Sequence, residues 1–454
     1  MQKTLTIGMF QSGGVRGSWK IPGRESEPNF TDLDYWITLA RKCEAAGVDF
    51  LFFADSYGYP TMDGAVIPGA ITHNVNFTNI DPQVILSALA AHTEKLGLVT
   101  TVSTQVEQPA VVARQYRTLD HLSKGRVGWN IVTGSAQAGS ALLFGEPLMA
   151  HDDRYRKADD HVELSLKFWE GCWEPDALQR SSITQTWADP NKVHEIHHRG
   201  PFFASDGILP TPPGPQVTPT LFQAGASAPG RALAAKYAEA VFLAAESKAL
   251  AEQIADIRGL AEENGRGRDA VKCLIAGTFR VADSYDAAAA QHRAQIEAIS
   301  LDQAATHYAY YTGIDLMSLD LDRPIPESAA AGDNGRTNIE RFLGPDAPTV
   351  RQILEEFRAN GVMGKPFLGS PEEIVDQAQA MIEATDADGF LVQPEPDGNH
   401  DQFFARVLPE MRRRGLIKDE LAGNTLREHF FGVGCTQLPD THPGAAFRAH
   451  NVLV

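Results

Sequence analysis

Residues 96–132 read LGLVTTVSTQVEQPAVVARQYRTLDHLSKGRVGWNIV, and this stretch sets the fold class. Leu96–Ser103 is an apolar run that predicts a strand, Pro109–Leu122 predicts a helix, and Val127–Val132 predicts the next strand. The same alternation extends to both sides. Upstream, Thr4–Phe10 reads as a first strand. Asp32 can cap a helix with apolar residues at Leu33, Trp36, Ala40 and Cys43; Gly47 stops it, and Val48–Ala54 is a strand apolar except for Asp49. Asp81-Pro82 opens a helix to about His92. Downstream, a helix from Asp152 carries Tyr155, Ala158, Val162, Leu166 and Trp169 on one stripe. Strand Leu221–Gly225 and helix Gly230–Ala238 follow, then strand Ala240–Leu243 and helix Lys248–Glu263, then strand Lys272–Phe279 and helix Ser284–Ile299. Ser370-Pro371-Glu372-Glu373 is a capping box, Gly389–Val392 a last strand and Asn399–Arg414 a last helix.

About eight strands separated by helices argue for an α/β fold with a parallel sheet. No GxGxxG follows the first strand, so a closed (β/α)8 TIM barrel is preferred to an open dinucleotide-binding sheet. Stretches 56–80, 170–218 and 300–350, rich in Pro, Gly, Asn and Asp, exceed a minimal barrel. Such insertions usually build the mouth at the carboxyl ends of the strands. With no repeat, low-complexity tract or Ser/Gly linker, residues 1–454 read as one elaborated barrel domain.

Composition narrows the function. The 454 residues carry 40 Lys and Arg against 58 Asp and Glu, a net charge of −18, which argues against a nucleic-acid partner. No apolar run approaches the ~18 residues of a membrane span, and the N-terminus has no signal architecture. Cys43, Cys172, Cys273 and Cys435 are too scattered for a disulfide framework, which fits free thiols in a reducing cytoplasm.

Polar residues close three successive apolar strands. Asp55 follows LFFA, Thr101 and Ser103 end LVTTVS, and Asn130 ends VGWN. Hydroxyl and amide groups at strand ends suit a planar polar ring better than a metal. Two stretches could meet an anion: the Gly-rich turn Ala224–Gly230 with Ser227, and the helix start at His151, whose Tyr155 is one turn on. His194-Glu195-Ile196-His197-His198 matches the H-E-x-x-H zinc signature, but Pro190 and Gly200-Pro201 leave no room for a helix. The segment reads as strand, turn, strand, which would separate the two His by roughly 13 Å, so no metal is expected.

Together these residues resemble the bacterial-luciferase-like FMN-dependent monooxygenases, in the branch of nitrilotriacetate, dibenzothiophene-sulfone and dimethyl-sulfide monooxygenases. The resemblance runs through DLDYWITLARKCEAAGVDFLFFAD (32–55), LGLVTTVST (96–104), RTLDHLSKGRVGWNIVTG (117–134), HDDRYRKADDHVEL (151–164), LFQAGASAPGRALAAKYAEAVF (221–242) and DADGFLVQP (386–394). It implies a two-component enzyme that uses reduced FMN and O2 through a flavin (hydro)peroxide to oxygenate a small organic substrate at a C–S, C–N or C–H bond. A separate NAD(P)H:flavin reductase would supply the FMNH2. Carried over by position, Asp55 and Thr101 face the isoalloxazine region, Asn130 lies near the ring, and His151, Tyr155 and Ser227 hold the ribityl-phosphate end. Two family His residues are absent. Gly14–Trp19 contains none, and Tyr311 stands in the second place, so Arg16 and Tyr311 are the candidate catalytic substitutes. A homodimer or homotetramer in the cytoplasm is expected. The alternatives are a deazaflavin-dependent oxidoreductase of the same superfamily and a non-catalytic flavin-binding protein.

Overall fold

A computed structural model describes residues 3–14, 20, 29–326, 347–360, 366–394 and 400–449. Eight parallel strands close into a barrel: β1 (Thr6–Ser12), β2 (Phe50–Ala54), β3 (Gly97–Ser103), β4 (Val127–Val132), β5 (Thr220–Gln223), β6 (Ala240–Leu243), β7 (Lys272–Gly277) and β8 (Gly389–Val392). Their spatial order is their chain order. β8 returns to β1 with Thr6 opposite Gly389 and Met9 opposite Val392, which closes the ring. The TIM-barrel expectation therefore holds.

Among the helices are α1 (Leu33–Ala45), α2 (Pro82–Ala91), α3 (Pro109–Ser123), α4 (His151–Gly171), α5 (Ala228–Tyr237), α6 (Ser247–Glu263), α7 (Leu301–Thr312), α8 (Val350–Asn360), α9 (Pro371–Thr385) and α10 (Leu426–Phe431). Their starts follow local chemistry. Asp32 accepts from Asp34 N and Asp81 from Gln83 N, and Ser370 and Glu373 form the expected capping box.

Side chains fill the barrel. Phe10, Phe50, Phe52, Val99, Phe222, Leu274 and Leu391 point inward, joined from below by Leu426 and Phe430 of α10. Phe430 lies 5.7 Å from Phe50 and 5.6 Å from Phe222, ring centre to ring centre. Gly97 and Gly128 make room for this plug: a Cβ on Gly97 would stand 2.4 Å from Leu426 Cδ1, and one on Gly128 3.0 Å from its Cδ2. The neighbouring Arg427 is buried and pairs with buried Glu239 at 2.6 Å, fastening α10 to the start of β6.

The first three strands start one or two residues later than expected, and two others differ more. The predicted strand Lys272–Phe279 is two pieces. β7 ends at Gly277, and Phe279–Val281 leaves the barrel to pair in parallel with Phe367–Gly369, where Phe279 stacks on Phe367 at 4.8 Å. The predicted Leu221–Gly225 stops at Gln223, because the Gln223 side chain accepts from Gly225 N and folds the chain into a turn.

Within 56–80 lie the hairpin Thr61–Met62/Ala65–Val66 and the helix Pro68–His73, which packs on α7. Helices α7 and α8 share a small core of Tyr308, Leu316, Ile353, Leu354 and Phe357. Residues 172–218 run from the end of α4 to the start of β5, and Gln216 among them holds buried Asp120 of α3. Cys43, Cys172 and Cys273 are buried, Cys435 is exposed, and all four are free.

Candidate active site

The polar strand ends are joined by hydrogen bonds. Thr101 and Asn130 are register partners on β3 and β4; Asn130 Nδ2 donates to Thr101 Oγ1 at 2.8 Å, and Thr101 Oγ1 donates to Phe53 O of β2 at 2.8 Å. Both residues are buried, and Asn130 Oδ1 has no partner among the described residues. A buried amide oxygen in that state costs free energy unless a bound molecule donates to it. Asp55 stands just beyond β2, where its Oδ1 accepts from Asn79 Nδ2 at 3.0 Å. Burial pushes its carboxyl up to about 6, helped by the nearby charge of Asp81 and opposed by the bonds from Ser56 N and Asn79.

The two anion candidates meet. Ser227, 72 residues beyond Tyr155, donates to Tyr155 Oη at 3.2 Å and also accepts from Gly230 N at the start of α5. Tyr155 lies one turn after His151 on α4, with ring centres 5.1 Å apart, and His151 Nδ1 contacts Asp152 Oδ1 at 2.9 Å. Gly225 and Gly230 leave the space open: a Cβ on either would come within about 3.1 Å of Tyr155 Oη. A polar cradle beside a helix start is suited to a phosphate or other anion.

Tyr311 occupies the last turn of α7, half-buried against the small α7–α8 core, its ring edge-on to Tyr310 at 5.0 Å. Residue-level reading of the sequence passes over Tyr310, yet that phenol reaches the barrel loops. Its Oη is 2.7 Å from Ser135 Oγ, and Ser56 Oγ donates to Ser135 O at 3.1 Å. Burial raises the Tyr310 phenol to about 12, so it is protonated at neutral pH. Tyr59, Gly134–Ala138, His151, Arg154, Tyr310 and Tyr311 line a cavity of about 170 Å³ at this mouth. Arg16 lies outside the described residues.

The H-E-x-x-H segment forms the expected hairpin, Ile196–Arg199 with Ala204–Gly207. Each His has its own carboxylate: His194 with Glu174 at 2.9 Å, His197 with Asp206 at 2.9 Å, and buried His198 with Asp160 at 2.8 Å. Among the described residues no group of three or more His, Cys, Asp or Glu could hold a metal ion, and no helix is long and apolar enough to cross a membrane.

Polar groups and an anion cradle at the carboxyl ends of barrel strands lie where such barrels carry their active sites. The luciferase-like monooxygenase family model matches residues 12–389, so the chain belongs to that family and is an enzyme of the monooxygenase class. It is 34% identical to the dimethyl-sulfide monooxygenase of Hyphomicrobium sulfonivorans over 99% of this chain and 94% of that one. It is 33% identical to the long-chain alkane monooxygenase of Geobacillus thermodenitrificans over 99% of both. The solved long-chain alkane monooxygenase superposes with a TM-score of 0.89 over 99% of this chain and 100% of that one. A riboflavin lyase, solved with modified FMN and its substrate riboflavin, superposes with a TM-score of 0.91 at 39% identity, covering 98% of this chain and 100% of that one.

Proposed function

We propose that this protein is the oxygenase of a two-component system, using FMNH2 from a separate NAD(P)H:flavin reductase and O2 to oxygenate a small organic molecule at a C–S, C–N or C–H bond. The observation that carries this reading is the meeting of Tyr155 and Ser227, brought from separate βα units to 3.2 Å beside two glycines. An anion seat there shares the mouth with the Asn130 oxygen, which has no partner among the described residues and is an acceptor suited to a ring N–H. The fit supports FMN: His151, Tyr155 and Ser227 would hold the phosphate end, and Asp55, Thr101 and Asn130 would border the ring. Reduced FMN, once bound, supplies the electrons that activate O2.

The chain's own part is to position, shelter and manage protons. The Asn130–Thr101–Phe53 bonds fix one edge of the ring site without side-chain freedom to lose on binding. Tyr310 brings a protonated phenol, hydrogen-bonded to Ser135 Oγ, to the cavity wall; Tyr311 and Arg16 are the further candidates for contact with substrate. Tyr59, Pro60 and Thr61 from one excursion and Ala309 to Tyr311 from another wall the cavity, and walls of this kind keep bulk water from a reacting centre.

A second reading concerns the substrate. The 39% identity to a riboflavin lyase, with the aromatic wall of Tyr59, Tyr310 and Tyr311, favours a planar heteroaromatic such as riboflavin itself. One experiment separates the readings. Photoreduced FMN is bound anaerobically and mixed with air plus dimethyl sulfide, a long-chain alkane or riboflavin, and consumption of each is followed by chromatography. A parallel run with reduced deazaflavin tests the alternative cofactor. If no substrate is consumed and reduced FMN does not bind, the monooxygenase reading fails for this chain.

A further inference from the structure

Gln393 follows the last residue of β8, and β8 lies four strands from β4 in the ring of eight, which is directly across the mouth from Asn130. Its side chain faces inward by the alternation of the strand: Leu391, two residues earlier, belongs to the barrel filling. Asn130 faces inward by the same rule, since a Cβ on Gly128 would meet the Phe222 ring and Leu426. Both amides are almost wholly enclosed, with Gln393 5% and Asn130 2% exposed.

Each amide nitrogen makes one hydrogen bond to the protein. Gln393 Nε2 donates to Leu391 O at 3.3 Å, and Asn130 Nδ2 to Thr101 Oγ1 at 2.8 Å. Each leaves its oxygen without a partner among the described residues. The Gln393 backbone is held as well, its N–H donating to Gly277 O at 2.8 Å, so the side chain starts from a fixed point. The mouth thus presents two opposed, desolvated acceptors. A bound molecule that brings N–H groups to these oxygens gains the hydrogen bonds they lack.

We propose that Gln393 is a binding residue that selects the reduced over the oxidised isoalloxazine ring, acting with Asn130 from the opposite side of the barrel. The chemistry is general. Reduction adds a hydrogen at N5, turning an acceptor position into a donor, and an acceptor oxygen aimed at that region favours the reduced form. This inference rests on the flavin reading of the preceding subsection and adds a residue that reading does not use.

The test is anaerobic titration of wild type, Gln393→Met and Gln393→Leu with photoreduced FMN and with oxidised FMN. The two apolar replacements differ in shape, so a packing defect in one is exposed by the other. Expected is a roughly tenfold weaker Kd for reduced FMN in both variants with the oxidised Kd changed less than about twofold. Equivalently, the potential of the bound two-electron couple falls by about 30 mV. Equal weakening of both forms, no change in either, or a rise in substrate KM alone would overturn the assignment. Wild type that binds neither form overturns the flavin reading itself, and the role of Gln393 with it.

Discussion

Tyr310 Oη and Ser135 Oγ share a hydrogen bond of 2.7 Å that ties α7 to the loop after β4. These two residues are 175 apart in the chain, and the loop that holds Ser135 is itself bound by Ser56 from the loop after β2. Three separate excursions from the barrel are thereby fixed at one point. Tyr310→Phe and Ser135→Ala should each destabilise the chain by about 0.5–1.5 kcal/mol, and the double variant should add little to either single change. Urea unfolding of the four proteins measures this; strict additivity would show that the two groups do not interact.

Asp55 makes the stability depend on pH in a specific direction. Its carboxyl sits at about 6 in the folded chain against an ordinary 3.8, so between roughly pH 4 and 6 the folded state keeps a proton the unfolded state has released. That contribution is present at the acid end and lost as pH rises through 6. Thermal midpoints of wild type and Asp55→Asn should therefore diverge in favour of the variant from pH 4 to about pH 6.5, and run parallel above it. A constant offset across the range would contradict the raised carboxyl.

The anion seat yields a prediction about affinity. Tyr155→Phe with Ser227→Ala removes both hydroxyls, each able to give about 1.5–3 kcal/mol to a charged group, so reduced-FMN affinity should drop at least roughly tenfold. Ser227 also caps α5, and its replacement alone should lower stability by about 1 kcal/mol. Melting each single variant beside its titration separates the two effects. Undiminished affinity in the folded double variant removes the phosphate assignment.

The His-rich hairpin gives a contrast within one segment. His198 is buried on Asp160, which also accepts from Phe202 N and Phe203 N, whereas His197 is largely exposed beside Asp206. His198→Leu should destabilise by about 1–3 kcal/mol and His197→Leu by no more than about 0.5 kcal/mol. Treatment with a strong chelator should leave reduced-FMN binding and turnover unchanged. Activity lost to the chelator and restored by zinc alone would reinstate a metal site.

The barrel is legible in the sequence because each of its strands carries its own apolar run and several helices, such as those after Asp32, Asp81 and Ser370, their own cap. Val127–Val132, Ala240–Leu243 and Gly389–Val392 have the same limits in both readings. The break after Gly277 is not legible, since it depends on Phe279 finding Phe367, 88 residues on. The site divides in the same way. Asp55, Thr101 and Asn130 announce themselves as polar ends of apolar runs, and Gln393 after GFLV carries the same signal without being read from it. That Tyr155 touches Ser227 follows from the order of the strands around the barrel and from no spacing. Tyr310 and Tyr311 differ by about 100° around one helix, and only the packing of α7 decides which phenol reaches Ser135.

The barrel's interior is completed by side chains from α10, more than thirty residues past the last strand. During synthesis all eight strands emerge while Phe50 and Phe222 still border an unfilled hole where Leu426 and Phe430 belong. A nascent chain ending before residue 431 can pair its strands, yet it cannot dry its own centre, and buried Glu239 waits without Arg427. The ribosome-bound protein therefore exposes greasy surface until α10 has emerged, and that is the stage at which a chaperone has something to hold.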